Sequence, residues 1–173
     1  MILGARPLLA PCGRSAAPMP TDPAPRSALP LPHIDVVQRG RRAPALAARL
    51  GRDARRLLRG LRLDGAELSV VLVADREMRT LNRRWRGRDR PTDVLSFAQR
   101  EGPGGAPGGL LGDVVISVDA ARRQARQRGE TLGREADRLL IHGLLHLLGY
   151  DHERSAAEAR RMQRRERTLA RWL

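Results

Sequence analysis

Residues 67–74 read ELSVVLVA and predict a buried β-strand in the middle of a sheet. The run is β-branched and mostly apolar over the length of a strand, which is typical of strands covered on both faces. Residues 33–38 (HIDVVQ), 93–98 and 110–118 have similar strand patterns. The last two flank a loop rich in glycine and proline, residues 101–109, and we expect them to pair as a hairpin.

Helical patterns lie between and after these strands. Residues 43–59 place apolar side chains at helical spacing, with arginines on the opposite side. Asp75 and Asp119 are predicted to cap the next two helices, because an aspartate accepts hydrogen bonds from free backbone N–H groups. Residues 131–148 contain a helix that is apolar almost all round its end and therefore buried, and Ser155 begins the last helix. The expected fold is α/β with α+β character: one domain, with a small mixed sheet of about four strands packed with about five helices.

The first 30 residues differ in composition from the rest. Most of the 12 prolines lie in residues 1–32, among Ala, Ser and Arg and without any helical or strand period. Such a segment cannot bury enough apolar surface to offset the entropy lost on ordering. We expect residues 1–30 to be a disordered extension or an over-long start with the true one near Met19, and an arm that binds a partner is the alternative. Residues 31–173 are expected to form the single domain.

The chain is strongly basic. It has 33 basic against 19 acidic residues, a formal net charge of +14, which is typical of proteins that bind nucleic acid. All the basic residues are arginines, which suggests a coding bias, so the excess charge is more informative than any single arginine. No stretch approaches the ~18 apolar residues of a membrane span, and residues 1–10 are too short an apolar run for a signal peptide. Because the single Cys12 excludes an internal disulfide, we expect the protein to lie in the reducing cytoplasm. Because no span or signal peptide is predicted, we expect no membrane contact.

Three of the four histidines lie close together, in the run IHGLLHLLGYDHE at residues 141–153. His142 and His146 are one helical turn apart and therefore share a face of the buried helix. Gly149 can take the left-handed conformation that ends a helix, which brings His152 back to the same point. A lone histidine on an apolar helix is usually a hydrogen-bonded core residue, but burying three unpaired imidazoles would cost a few kcal/mol each.

This histidine spacing predicts a metal site on the buried helix and the turn that follows it. Three neutral imidazoles leave a fourth position open, as in catalytic zinc sites, so we expect one Zn²⁺ per chain; nickel and copper also accept such ligands. The frame HxxxHxxGxxH is shared with the metzincin proteases, whose general-base Glu is replaced here by Gly143. Losing a general base costs ~10²–10⁴ in rate, which disfavours a protease. RNA fits better, because water activated by zinc or the ribose 2′-OH can attack the phosphate.

A second cluster lies in residues 81–97, LNRRWRGRDRPTDVLSF, where five arginines surround one tryptophan: Arg83, Arg84, Trp85, Arg86, Arg88 and Arg90. Such a patch can hold a phosphate backbone while the aromatic ring stacks on a base. The alternative is a solvated helix end whose Trp85 packs in the core. The sequence leaves both possibilities open.

The segments HGLLHLLGYDH, WRGRDRPTDVLSF and LLGDVVIS together resemble the YbeY family of bacterial rRNA maturation factors, which are metal-dependent endoribonucleases. The resemblance covers residues 31–173. It implies a cytoplasmic α/β metalloprotein with one zinc ion that cleaves single-stranded RNA. It also implies a role in maturation of the small-subunit (16S) rRNA and in ribosome quality control, with the small ribosomal subunit and its maturation proteins as partners.

The resemblance also assigns residues. It implies that His142, His146 and His152 are the metal ligands and part of the catalytic site. Arg86 matches the arginine on which the family relies for RNA and activity, in a stretch that here begins with Trp85 in place of tyrosine and has Arg88 in place of lysine. The family's last helix is matched at Met162, Glu166 and Leu169.

Two questions stay open at this stage. Asp113 and Asp151 are each candidates for the carboxylate that orients a metal-bound imidazole, and each can equally serve a turn. The function is either a nuclease, with zinc activating water and Arg86 holding the phosphate, or a non-catalytic assembly factor in which zinc braces the fold and the basic surface binds rRNA. The open ligand position favours the enzyme, and the lack of an evident general base favours the assembly factor.

Overall fold

A computed structural model describes residues 31–39, 43–99 and 109–173 of the protein. Its elements, in chain order, are β1 (His33–Gln38), α1 (Pro44–Gly60), β2 (Glu67–Val73), α2 (Asp75–Arg86), β3 (Val94–Ala98), β4 (Leu110–Ser117), α3 (Val118–Arg128), α4 (Leu132–Leu147) and α5 (Ala156–Ala170). The α/β architecture predicted from the sequence is confirmed. The predictions for residues 1–30 and for the loop at 101–108 lie outside the described residues.

The strands form one mixed sheet in the order β1-β2-β4-β3. β2 pairs in parallel with β1 on one side and with β4 on the other, so the apolar run at 67–73 is interior, as predicted. β3 pairs antiparallel with β4, which confirms the predicted hairpin. β3 is therefore an edge strand of the sheet.

Within the described ranges, no helix combines the length and the hydropathy that crossing a membrane would require.

The two faces of the sheet are covered unequally. On the covered face, α1 and α4 pack against the strands through a core that includes Val114 and Ile116, and α5 packs against α4. On the opposite face, called here the open face, α2 packs against one end through Met78. Because side chains alternate along a strand, β3 directs Ser96 to the covered face and Phe97 to the open face.

The predicted aspartate caps are wrong in detail. Asp75 is the first residue of α2, and its carboxylate accepts a hydrogen bond from Ser117 Oγ at 2.6 Å and pairs with Arg123. Ser117 caps α3 by accepting from the backbone N–H of Ala120 at 3.1 Å. Asp119 instead accepts the backbone N–H of Asp75, at 3.1 Å. The two aspartates therefore join α2 to α3 where β2 and β4 end, a partnership that only the parallel pairing of these strands creates.

Candidate metal centre

The three clustered histidines converge in the structure. His142 and His146 lie one turn apart near the end of α4, and their Nε2 atoms are 3.2 Å apart. His152 follows in the next turn, with its ring centroid 5.2 Å from that of His142 and 5.1 Å from that of His146. One ring nitrogen from each residue lies within 4.8 Å of the others. Such a group of nitrogens can share a single metal ion.

The turn after α4 is what returns His152 to the helix. Gly149 has φ of +89°, a left-handed conformation that is strained for any residue with a Cβ. The backbone N–H of Tyr150 donates to the Leu145 carbonyl at 3.0 Å, and that of Gly149 donates to the His146 carbonyl at 3.0 Å. These bonds close the helix end and reverse the chain, as the glycine position predicted.

Glu166 on α5 fixes the orientation of His142. Its Oε1 lies 2.7 Å from Nδ1 of His142. In the tautomer that donates this hydrogen bond, Nε2 carries no proton and is free to bind a metal. The sequence pattern marked Glu166 only as part of the last helix and did not predict this role. The signal was a carboxylate four residues after buried Met162 and three before buried Leu169, on the inward side of an amphipathic helix.

The two aspartates considered for this orienting role do other things. Asp113 lies on the open face of the sheet, where it accepts from Gln99 Nε2 at 2.9 Å. Asp151 accepts the backbone N–H of Glu153 at 2.9 Å and pairs with Arg154, so it shapes the turn before His152. Neither carboxylate is hydrogen-bonded to an imidazole in the described part of the chain.

The protonation states at the cluster suit metal binding. Burial, together with the neighbouring His142 and His152, lowers the pKa of His146, which favours its neutral form. The hydrogen bond from His142 lowers the pKa of Glu166 and keeps it ionised. Because metals bind neutral imidazoles, and because the carboxylate holds the outer nitrogen of His142, the donor set fits a divalent ion such as zinc. Within the described residues, the cluster consists of these three ligands.

A cavity of about 350 Å³ opens beside the histidines, and Arg86 lines it with them. Arg86 is the last residue of α2, and Gly87 ends that helix with φ of +67°. The edge strand β3 supplies another wall through Val94 and Ser96. The structure therefore places all four predicted site residues around one space, although the role of each remains a prediction.

The position of the metzincin glutamate is closed by packing. A Cβ on Gly143 would lie 2.6 Å from Cγ1 of Val114 and 3.1 Å from Oγ of Ser96. A contact of 2.6 Å is shorter than real Cβ atoms make, so α4 and β4 would have to shift to accept a larger residue here. The Gly143 carbonyl instead accepts from Ser96 Oγ at 3.0 Å, which ties α4 to β3. A glutamate at this position would require α4 and the sheet to move apart.

Comparisons with known proteins show which proteins this chain is similar to. The sequence model of the Endoribonuclease YbeY family matches residues 47–173. Endoribonuclease YbeY from Anaeromyxobacter sp. (strain Fw109-5) is 58% identical over 133 residues, which are 77% of this chain and 66% of the relative. Endoribonuclease YbeY from Geobacter metallireducens is 46% identical over 138 residues, which are 79% of this chain and 92% of the relative.

A solved structure shares the fold. The solution structure of TM1509 from Thermotoga maritima matches with a TM-score of 0.59 at 27% identity, over 80% of this chain and 87% of that one. The chain spans only part of the curated relatives it matches. It covers 66% and 63% of the length of Endoribonuclease YbeY from two Anaeromyxobacter strains, and 40% of the length of that from Myxococcus xanthus. Since the family model covers most of the chain and several relatives exceed 40% identity, the chain belongs to the YbeY family.

Proposed function

We propose that this protein is a zinc-dependent endoribonuclease that cleaves single-stranded RNA. The observation that carries the proposal is the convergence of His142, His146 and His152 within 4.8 Å, in a cavity that Arg86 also lines. An arginine beside a metal site suits a phosphodiester substrate, because its planar guanidinium matches the phosphate oxygens. The relatives named Endoribonuclease YbeY and the net charge of +14 support RNA as the substrate class.

The residues of the cavity would divide the work. Zinc held by the three histidines would supply Lewis acidity, polarising a phosphate oxygen and making water a better nucleophile near neutral pH. Arg86 would hold the phosphate and stabilise the charge that grows on it in the transition state. Glu166 holds Nδ1 of His142 and directs Nε2 to the cluster.

Two further carboxylates line the cavity. Asp93 is occupied: it accepts hydrogen bonds from the backbone of Val94 at 2.9 Å and from Gln124 at 3.0 Å. Burial raises the pKa of Asp93, but these hydrogen bonds together outweigh burial, so its pKa is lowered. Asp93 is therefore an ionised side chain that holds the start of β3 in place. Glu153 is exposed at the rim, and its carboxylate forms no hydrogen bond in the described part of the chain. Glu153 is therefore the carboxylate proposed as proton acceptor, and its loss in Glu153→Gln should lower kcat without loss of zinc.

The finer function is proposed on the basis of the family relationship. The proposed substrate is precursor RNA of the small ribosomal subunit, cleaved in the cytoplasm during 16S rRNA maturation and ribosome quality control. The small subunit and its maturation proteins are the proposed partners. The support for these statements is the family relationship together with the basic surface.

The alternative is a non-catalytic assembly factor whose zinc braces the fold. Incubation of the purified protein with end-labelled single-stranded RNA, with and without a chelator, separates the two. We expect cleavage that stops with the chelator and returns with added zinc. RNA that stays intact while chelation lowers the melting temperature would instead support the assembly factor.

The metal site has its own test. The purified protein is expected to hold about one zinc ion per chain by elemental analysis, because the described residues contain one group of three imidazoles. His146→Ala should lose both the zinc and the activity. The matched control is His33→Ala, which removes an exposed histidine of β1. Stoichiometric zinc in His146→Ala would contradict the site.

A further inference from the structure

Trp85 is an exposed aromatic residue held in a fixed position. With 60% of its surface exposed, it is the largest apolar side chain that the described residues leave open to solvent. Its ring meets that of Phe97 at a centroid distance of 5.7 Å and an angle of 66°. Cζ of Arg84 lies 5.2 Å from the centroid of the Trp85 ring. Together with Phe97 it forms exposed aromatic surface of the kind that marks binding sites, and the alternative in which Trp85 packs in the core is excluded.

The charges around Trp85 indicate what binds there. The five arginines of this cluster form no ion pair with a carboxylate in the described residues: Arg83, Arg84, Arg86, Arg88 and Arg90. A protein partner would have to desolvate these guanidinium groups, which is costly unless each meets an acidic group. A nucleic acid strand supplies a phosphate at every nucleotide and aromatic bases between them. Aromatic surface next to unpaired arginines therefore favours a single strand over a protein.

The position of Trp85 connects it to the metal cavity. Trp85 and Phe97 line a groove of about 410 Å³ on the open face of the sheet, whereas Arg86 and Ser96 line the metal cavity on the other side of β3. Trp85 and Arg86 are consecutive at the end of α2, and Ser96 and Phe97 are consecutive on β3. In each pair, one residue lines the groove and the other lines the metal cavity. Since β3 is an edge strand, a flexible polymer passing around this edge touches both places.

We propose that Trp85 and Phe97 form a stacking site for one unpaired base of the RNA strand whose phosphate lies in the metal cavity. The base stacks on the indole ring of Trp85, and Arg84 contacts a neighbouring phosphate. The proposal rests on the proposed function for the identity of the strand. It also explains a preference for single strands, because a base in a duplex is stacked between its neighbours and cannot reach the indole.

Binding affinity tests the site independently of cleavage. Fluorescence anisotropy is measured with the full chain and a labelled single-stranded 2′-O-methyl oligoribonucleotide of about ten nucleotides, checked by gel to be intact after titration. Trp85→Leu is expected to raise the Kd by about 10-fold or more, and Trp85→Phe by much less. Arg84→Gln should reduce the slope of affinity against salt by about one phosphate contact. The matched control is Leu110→Ser, which alters another exposed apolar residue outside the groove.

The same oligonucleotide annealed to its complement gives the decisive comparison. Trp85→Leu should leave duplex binding unchanged, because the duplex uses only phosphate contacts. An equal loss for both forms would mean that Trp85 merely positions the arginines, and unchanged single-strand binding would leave this face to a protein partner; either result overturns the proposal. Trp85-dependent binding by a protein that cleaves no RNA would keep the stacking site and reject the nuclease. Cleavage with no effect of Trp85→Leu would do the reverse.

Discussion

Glu166 Oε1 lies 2.7 Å from Nδ1 of His142 and joins two helices at the metal site. The two residues are 24 positions apart, one on α5 and the other on α4. The contact sets the tautomer and the ring orientation of His142, so the last helix is part of the candidate site and not only of the core. The packing of α5 against α4 therefore also holds the His142 ring in place.

Removal of this carboxylate should weaken metal binding while the protein stays folded. Glu166→Ala is expected to lower zinc affinity by about 10- to 100-fold, because His142 loses the acceptor that holds its ring. Competition with a chromophoric chelator measures the affinity. Glu158→Ala, on the same helix and paired with Arg161 within the described residues, is the matched control. Equal zinc affinity in Glu166→Ala and the wild type would show that the contact plays no part in binding.

Arg86 should act in the transition state more than in RNA binding. Arg86→Ala is expected to lower kcat by about 100-fold or more with little change in KM, as for a lost oxyanion donor, and to leave zinc content unchanged. Arg86→Lys keeps the charge but loses the planar fork, so it should restore binding better than kcat. Steady-state kinetics with a single-stranded RNA give both constants. Arg83→Ala, in the same cluster but outside the cavity, is the control. Wild-type kcat in Arg86→Ala would show that Arg86 plays no part in the transition state.

A side chain at position 143 should destabilise the fold. Gly143→Ala places a Cβ 2.6 Å from Cγ1 of Val114, so α4 must move away from β4. We expect a loss of about 1–3 kcal/mol in the free energy of unfolding, although alanine in a helix is otherwise favourable. Adding Val114→Ala removes the clashing methyl groups and should recover part of this loss relative to Val114→Ala alone. Chemical denaturation of the four proteins measures the cycle, and additive effects would contradict the clash.

Residues 1–30 should be dispensable for folding. Their composition supports no core, β1 begins at His33, and the family match begins at residue 47. Thermal melts of the full chain and of a chain that starts at residue 31 should coincide, and so should their affinities for single-stranded RNA. A clear drop in melting temperature would show that the segment packs on the domain.

The sequence predicted what depends on neighbouring residues. The strand at 67–73, the hairpin of β3 and β4, and the helix that carries His142 and His146 all follow from local periodicity. The aspartate caps at α2 and α3 were predicted wrongly, because the carboxylate of Asp75 is bound by Ser117 at the end of β4. A helix start is a local signal, but the group that meets a side chain there depends on which strands lie side by side.

Helix geometry and one glycine turn were enough to predict that three imidazoles converge, because His142, His146, Gly149 and His152 lie within one short segment. Only the tertiary structure selected Glu166 over the two candidate aspartates, placed Arg86 in the cavity and left Trp85 exposed beside it. The physical reason is the range of the interactions. Spacing along a helix is set by its own hydrogen bonds, whereas contacts between remote segments exist only after the sheet and its helices have packed.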